Sequence, residues 1–251
     1  MESLEPSKSK LNEINYIENL TKVRGISPQE VEGYLLGKPF IDPLRGQYLM
    51  DLGQIMKLLP DPPARLLDLG IGPGWTSKYL ALSGYQVVGL DIADSMIKMA
   101  NINCAGLANI DFHVCDYEIE IDFGLFDCSL IYDALHHATD EARLIKNVYR
   151  SLKPGGKFVT LEPGRGHGED AHTRQVVRDF GVTEKDMEFS VQERLMHEAG
   201  FSIVRQYYRL SELPLEDVSS EKGRARQIEQ FTTLYAYTLV AGSTSFVVAI
   251  K

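Results

Sequence analysis

The chain is poor in cysteine, in positive charge and in long apolar runs, and each shortage excludes a class of protein. Its three cysteines, Cys104, Cys115 and Cys128, are an odd number with no C-x-x-C pair. That pattern fits reduced thiols and argues against a disulfide framework or a cysteine-built zinc site. No run approaches the roughly 18 apolar residues of a membrane span. The first twenty residues lack a basic segment followed by an apolar core, so neither a secretory leader nor membrane insertion is expected, and the reading is cytoplasmic. Lys and Arg number 26 against 35 Asp and Glu, a formal charge of −9. Such a surface repels a phosphate backbone, which disfavours a nucleic-acid partner. No internal repeat or low-complexity tract is visible.

What is present suits a globular α/β protein. Hydrophobic residues make up 44% of the 251 positions, enough for a sizeable core, and the length fits a single domain with an added element. Residues 1–60 read as a helical preface that caps or lids the rest of the chain. Apolar residues recur at helical spacing from Leu11 to Leu20, and Ser27-Pro28-Gln29-Glu30 is a capping box opening a second helix. A third helix is expected over 43–59, before the Pro60-Asp61-Pro62-Pro63 breaker.

From residue 61 to 251 short apolar runs alternate with helical patterns, the signature of a mostly parallel, seven-stranded Rossmann-like sheet covered by helices on both faces. Strands are expected at 65–69, 86–90, 110–115, 126–132, 156–161, 201–208 and 245–250. Helices are expected near 75–83, 93–103, 139–152, 192–200 and 224–240. The glycine- and charge-rich stretch at about 164–190 reads as an insertion over the sheet's carboxyl edge. Its H-x-E-D-x-x-H run, His167 to His172, matches no standard metal spacing and reads as a solvated loop.

Three glycines, Gly70, Gly72 and Gly74, stand between the first strand and its helix, where absent Cβ atoms let a ligand approach the backbone. Asp68 ends that strand; its charge would repel a dinucleotide's pyrophosphate and suits a ligand with a cationic amine. The G-x-G-x-G spacing also departs from the dinucleotide pattern, so a dinucleotide-dependent oxidoreductase is disfavoured. Asp91 ends the second strand, where a carboxylate can bond both hydroxyls of a ribose. Asp116 ends the third and can accept from an adenine amino group. Taken singly, Asp91 could be a helix cap, Asp116 a turn residue and Met96 core filler. Together the three carboxylates ask for a ligand with an amine, a diol and an adenine.

These residues resemble the class I S-adenosylmethionine-dependent methyltransferases, of the kind acting on small molecules. The likeness covers about 66–161. It is carried by Leu66-Leu67-Asp68-Leu69-Gly70-Ile71-Gly72-Pro73-Gly74, Leu90-Asp91-Ile92-Ala93-Asp94-Ser95-Met96, Cys115-Asp116-Tyr117, the fourth-strand block 126–137 and Leu152-Lys153-Pro154-Gly155-Gly156. The resemblance implies that the glycine loop wraps the amino-acid part of S-adenosylmethionine, that Asp91 holds the ribose, and that Ile92 and Met96 sandwich the adenine. S-adenosylhomocysteine would be the product. Tyr117 and Tyr132 join the expected cofactor contacts, with Asp133 on the cofactor or the pocket wall.

Methyl transfer to oxygen benefits from a base, and histidine is poised near neutral pH. His136 and His137 follow the fourth strand at the active edge. Consecutive side chains diverge in a regular segment, so His136 is favoured as base, with His137 second and Glu162, at the end of the fifth strand, as alternative or acceptor contact. No metal is expected. The N/D-P-P-Y/F motif of nitrogen methylation is absent at Tyr132-Asp133-Ala134-Leu135. Residues 162–187 are weakly similar to methyltransferase modules found beside glycosyltransferases, which suggests a sugar acceptor. Tyr207, Tyr208, Tyr235, Tyr237 and Phe231 read as core or as an acceptor-pocket wall. The expected function is methylation of a small or medium-sized molecule at oxygen; the alternative is a non-catalytic cofactor-binding subunit that activates a partner methyltransferase.

Overall fold

The computed structural model describes residues 7–213, 215–241 and 244–251, the side chains of 237–241 excepted. Seven strands, β1 (Arg65–Leu69), β2 (Gln86–Asp91), β3 (Ile110–Val114), β4 (Phe126–Tyr132), β5 (Leu152–Glu162), β6 (Ile203–Tyr208) and β7 (Ser245–Ile250), form one sheet in the order β3-β2-β1-β4-β5-β7-β6. The pairs from β3 to β5 are parallel, and β7 lies antiparallel between β5 and β6. Strand order reverses between β1 and β4, and such a switch point leaves a crevice at the carboxyl ends of the strands. β5 begins at Leu152, earlier than expected, because a register irregularity between Phe126 and Cys128 lets Leu152 pair with Phe126.

Alternation along β1 divides the core. Leu67 and Leu69 face one layer with Leu144, Val148 and Met196, while Leu66 faces the other with Ile55, Leu80 and Phe246. The preface holds α1 (Lys8–Ile14), α2 (Tyr16–Arg24), α3 (Pro28–Leu36) and α4 (Arg45–Leu58). The expected helix over Leu11 to Leu20 is two, broken at Asn15. The Ser27–Glu30 capping box is formed, with Pro28 in the first turn. α4 buries Leu52 and Ile55 in the core beneath the sheet, so only α1 to α3 stand over the crevice as separate pieces.

The remaining helices are α5 (Trp75–Leu82), α6 (Asp94–Asn103), α7 (Glu141–Ser151), α8 (Ala171–Phe180), α9 (Phe189–Ala199) and α10 (Glu221–Ala241). α8 corrects the expectation of a solvated loop. Asp170 caps it by accepting from the His172 and Thr173 backbone, and Phe180 and Val182 pack with Leu20, Met96 and Met99. Among the described residues no helix is long and apolar enough to cross a membrane. Of the C-terminal aromatics, Tyr207 packs against the core, Tyr208 meets Phe231 edge-on and Tyr235 is exposed; the Tyr237 side chain lies outside the described residues.

Asp51 of α4 is fully buried and ties the preface to the C-terminal half. Its carboxylate accepts from Arg209, Ser211 and the Tyr132 hydroxyl. Asp51→Ala would strand the Arg209 charge, and loss of one partner of a buried pair costs about 3–5 kcal/mol. The single tryptophan, Trp75, packs between Tyr48 and Tyr132, so its fluorescence during urea unfolding should report that loss. An unchanged midpoint would mean that the cluster contributes no net stability.

Candidate active site

Asp68 is buried and its Oδ2 accepts from the Thr76 and Ser77 hydroxyls in the first turn of α5. It anchors the glycine loop from behind, and it is not among the residues lining the crevice, contrary to the expected contact with a ligand amine. Gly74 is also spent on packing. A Cβ there would lie 2.9 Å from the Ala100 Cβ, so the glycine lets α5 and α6 close together. Gly70 and Gly72 both have positive φ and line the crevice. A Cβ on Gly70 would lie 2.5 Å from the Ala134 Cβ, so it too allows close packing, whereas one on Gly72 would meet open space, and there backbone is bared to whatever binds in front of it.

A cavity of about 400 Å³ fills the crevice, walled by Gly70, Gly72, Asp91, Ile92, Met96 and Tyr117 at one end. Asp91 accepts from the Gly72 and Ala93 backbone N–H groups at 2.9 Å each, leaving lone pairs for further donors. Burial pushes its carboxyl up to about 6, although these bonds oppose the rise. Asp116 is engaged: Lys10 of α1 reaches it at 2.7 Å and Glu118 at 3.1 Å. That bridge stands between the main cavity and a second, of about 440 Å³, which shares Lys10, Ile92, Asp116 and Glu118 as its wall. Tyr132 lines neither, since its hydroxyl is turned away to Asp51.

The other end of the main cavity is built by the turn after β4. Asp133 takes φ +56°, a strained left-handed conformation, and lines the cavity. A short 3₁₀ turn, Leu135–His137, comes next. Glu162 is buried beneath it and accepts from the backbone of Ala134, Leu135 and His136 and from His136 Nδ1 at 2.7 Å. His136 Nε2 lies 3.3 Å from Glu184. Burial disfavours the His136 cation, yet the bonds to Glu162 and Glu184 outweigh it and hold the ring at about 10. A ring so paired is a cation at neutral pH, and Glu162 is filled with donors.

The tight turn overrides the expected divergence of consecutive side chains: the two imidazoles are 4.0 Å apart. His137, half-buried, lines the cavity. Its Nδ1 is 2.7 Å from the Thr183 carbonyl, which can only accept, so Nδ1 carries the proton and Nε2 keeps a lone pair. Burial and the neighbouring His136 cation lower its pKa. Glu184, which no sequence motif marks, also receives His167 at 2.8 Å. Burial opposes its charge, but the His136 and His167 bonds hold its carboxyl well below the usual range. Glu13 and Tyr16 complete this wall from the preface. Burial and the Glu184 charge raise Glu13 to about 7.

Residues 67–160 match a sequence-family profile described as a methyltransferase domain. That stretch is similar to methyltransferase domains, in keeping with the resemblance read from the sequence. Curated proteins similar to it include phosphoethanolamine N-methyltransferase 2 of Caenorhabditis elegans, 28% identical over 55% of this chain and 32% of its own length. Another is the ubiquinone biosynthesis O-methyltransferase of Xanthomonas oryzae, 34% identical over 38% of this chain and 41% of its own. The chain thus spans well under half of those relatives. In fold, it is similar to Haemonchus contortus phosphoethanolamine N-methyltransferase 2 in complex with S-adenosyl-L-methionine, with TM-score 0.65, 22% identity, and 94% of this chain matched to 60% of that one. A methyltransferase of Haloferax volcanii in complex with its Trm112 activator gives 0.63 at 17% identity, covering 87% and 96%.

S-adenosylmethionine is the cofactor that the resemblance implies, and of the residues expected to hold it Gly70, Gly72, Asp91, Ile92, Met96, Asp116 and Tyr117 line the cavity. Asp116 can serve an adenine amino group as well only by sharing or releasing Lys10. Burial raises both Asp68 and Asp91 to about 6. Folded chains therefore keep two protons that unfolded chains release from 3.8 upward, so this contribution to stability is full at low pH and fades as pH rises through about 6. Asp91→Asn should remove one share. Urea midpoints measured between about pH 4 and 7 should fall less steeply in the variant, by on the order of 1–3 kcal/mol across the window. Parallel curves would show that Asp91 is ionised in the folded chain.

Proposed function

We propose that the chain is an enzyme that transfers a methyl group from S-adenosylmethionine to an oxygen of a small molecule. One observation supports this most: a single cavity runs from the glycine loop and Asp91 to Asp133, His137 and Glu184. Bound S-adenosylmethionine supplies an activated methyl group, and the work left to the chain is to seat an acceptor and handle its proton. His137 is the residue through which the acceptor is activated. It faces the cavity and is neutral, whereas His136 and Glu162 are consumed by each other. On this reading His137, which lines the cavity, takes the role that the sequence reading gave first to His136.

The segments α1 to α3 act as the lid. α1 is held by polar bonds, Lys10 to Asp116, the Ser9 hydroxyl to that of Thr183, and Asn12 Nδ2 to the Gly181 carbonyl, while α2 and α3 bury Leu20, Val31 and Leu35 against Met96, Met99, Phe180 and Val182. Lifting α1 alone therefore costs less than parting the apolar contacts of α2 and α3. A closed lid keeps water from the methyl donor. A hydroxylated sugar is one acceptor of the proposed class, on the weak likeness of 162–187. The two curated relatives act on a phosphorylated amine and a quinone precursor, so a nitrogen acceptor is the contrasting case.

The test is release of S-adenosylhomocysteine with a panel of small hydroxyl and amine acceptors, run beside calorimetric binding of S-adenosylhomocysteine. His137→Ala should lower turnover about 10²- to 10⁴-fold while changing cofactor affinity less than about threefold. Turnover with amines alone would overturn the oxygen acceptor. Full activity in the variant would remove His137 from the mechanism. Binding without turnover on any acceptor would favour the non-catalytic subunit.

A further inference from the structure

His136, His137 and Glu184 each offer a ligand atom at the histidine end of the cavity, all within 4.8 Å of one another. Around a tetrahedral ion with bonds of about 2.1 Å, donors stand about 3.4 Å apart. Here His136 Nε2 is 3.3 Å from Glu184 Oε2, His137 Nδ1 is 3.9 Å from Glu184 Oε1, and Glu13 Oε1 is 3.4 Å from His137 Nδ1. The spacing brackets that value. A second observation is independent of the spacing: Glu13 Oε1 is buried and accepts no hydrogen bond, an unpartnered acceptor that a cation in the cavity would complete. A third concerns His136. Glu162 takes its Nδ1–H at 2.7 Å, which fixes the ring and aims Nε2 at Glu184. A carboxylate behind an imidazole in this way orients metal-binding histidines.

The geometry points to a divalent first-row cation site formed by His136 Nε2, His137 Nδ1 and Glu184, with Glu13 of the lid as fourth donor. Histidine nitrogen with carboxylate oxygen is the donor set of zinc and its neighbours, without the thiolates that would close a purely structural site. Binding replaces the protons that now bridge these groups. His136 gives up its Nε2 proton. His137 exchanges its bond to the Thr183 carbonyl for the ion, its ring proton moving to Nε2. The site spans three stretches of chain, and its residues share no local spacing. For this reason the H-x-E-D-x-x-H run, taken by itself, points away from it: His167 reaches Glu184 while His172 stays on exposed α8.

The inference rests on the reading of this end of the cavity as the acceptor end, and it specifies how His137 acts there. The acceptor oxygen would be activated by coordination at a fifth position, or at the fourth when the lid lifts Glu13 away.

The experiment uses the full chain, stripped with a chelator and then dialysed against Zn²⁺ or Co²⁺, with bound metal measured and S-adenosylhomocysteine binding followed in the same samples. One Zn²⁺ per chain is expected, with the intense visible absorption of four-coordinate Co²⁺. Glu184→Gln should lose binding. Glu162→Gln, which removes the charge behind the His136 ring and alters the acceptors of the turn's N–H groups without touching the ion, should weaken it about 10- to 100-fold. Glu13→Gln lies on the lid and leaves the core intact, so a weakened affinity there cannot be ascribed to unfolding. His172→Ala should bind as the parent does. If the chain binds S-adenosylhomocysteine but no Zn²⁺, or if Glu184→Gln and Glu13→Gln bind Zn²⁺ like the parent, the cluster is an ion-pair network and the metal site is overturned alone. Failure to bind either ligand would overturn the cofactor reading with it.

Discussion

One buried carboxylate fixes the histidine end of the cavity. Glu162, at the last position of β5, is 1% exposed and takes three backbone N–H groups and one imidazole N–H. Successive N–H groups at the start of a short helical turn converge on an anion, so a carboxylate placed there stiffens the turn and is neutralised by it. The result is that β5 dictates the shape of the segment following its neighbour β4. Asp133 can be held at positive φ because Ala134, Leu135 and His136 are pinned immediately after it. The two imidazoles are brought within 4.0 Å of each other for the same reason. Without that anchor the turn would have three buried donors unpaired, each costing about 1–3 kcal/mol.

The same turn shows why some of the site is legible in the sequence and some is not. Strand ends are written locally: apolar runs, a glycine loop and an acidic residue after each run place Asp91, Asp116 and the His136-His137 pair at the carboxyl edge correctly. What those residues face is decided by chain far away. Lys10 meets Asp116 across 106 positions, and Glu13 meets His137 across more than a hundred. Nothing in the periodicity of residues 8–14 announces that. Glu184 escapes notice because the stretch holding it is rich in charge and glycine. The charges of α8 hide a helix whose apolar contacts with the lid are sparse: Phe180 is buried and Val176 partly so. Asp68, by contrast, invites over-reading. A carboxylate beside a glycine loop suggests a ligand contact, but the hydroxyls of Thr76 and Ser77, eight and nine residues on, claim it first.

The cavity is acidic in a way that suits its cofactor. Asp91, Asp116, Glu118, Asp133, Glu13 and Glu184 line it against Lys10 and Lys38. Burial makes each uncompensated carboxylate costly, and the structure answers position by position. Glu118 is filled by Thr139, Asp140 and Lys10, Asp91 by backbone donors, and Glu184 by two imidazoles. S-adenosylmethionine carries a sulfonium and an ammonium, so its entry supplies positive charge where the chain has withheld it. The lid lysine is then in competition with the ligand, for both satisfy the same carboxylates.

The adjacent histidines show how one sequence step can separate two roles. They share a turn and a solvent boundary, so composition gives no reason for them to differ. Their partners do. His136 faces a carboxylate at each nitrogen and is held as a cation, while His137 gives its one proton to a carbonyl and feels the His136 charge 4.0 Å away across the ring faces. Each state enforces the other: a charged His136 raises the cost of charging His137, and a neutral His137 leaves the two glutamates to His136 and His167. Any ligand that displaces the shared protons must therefore change both rings together, and a change at Glu162, which touches His136 beneath the cavity, will be felt at His137.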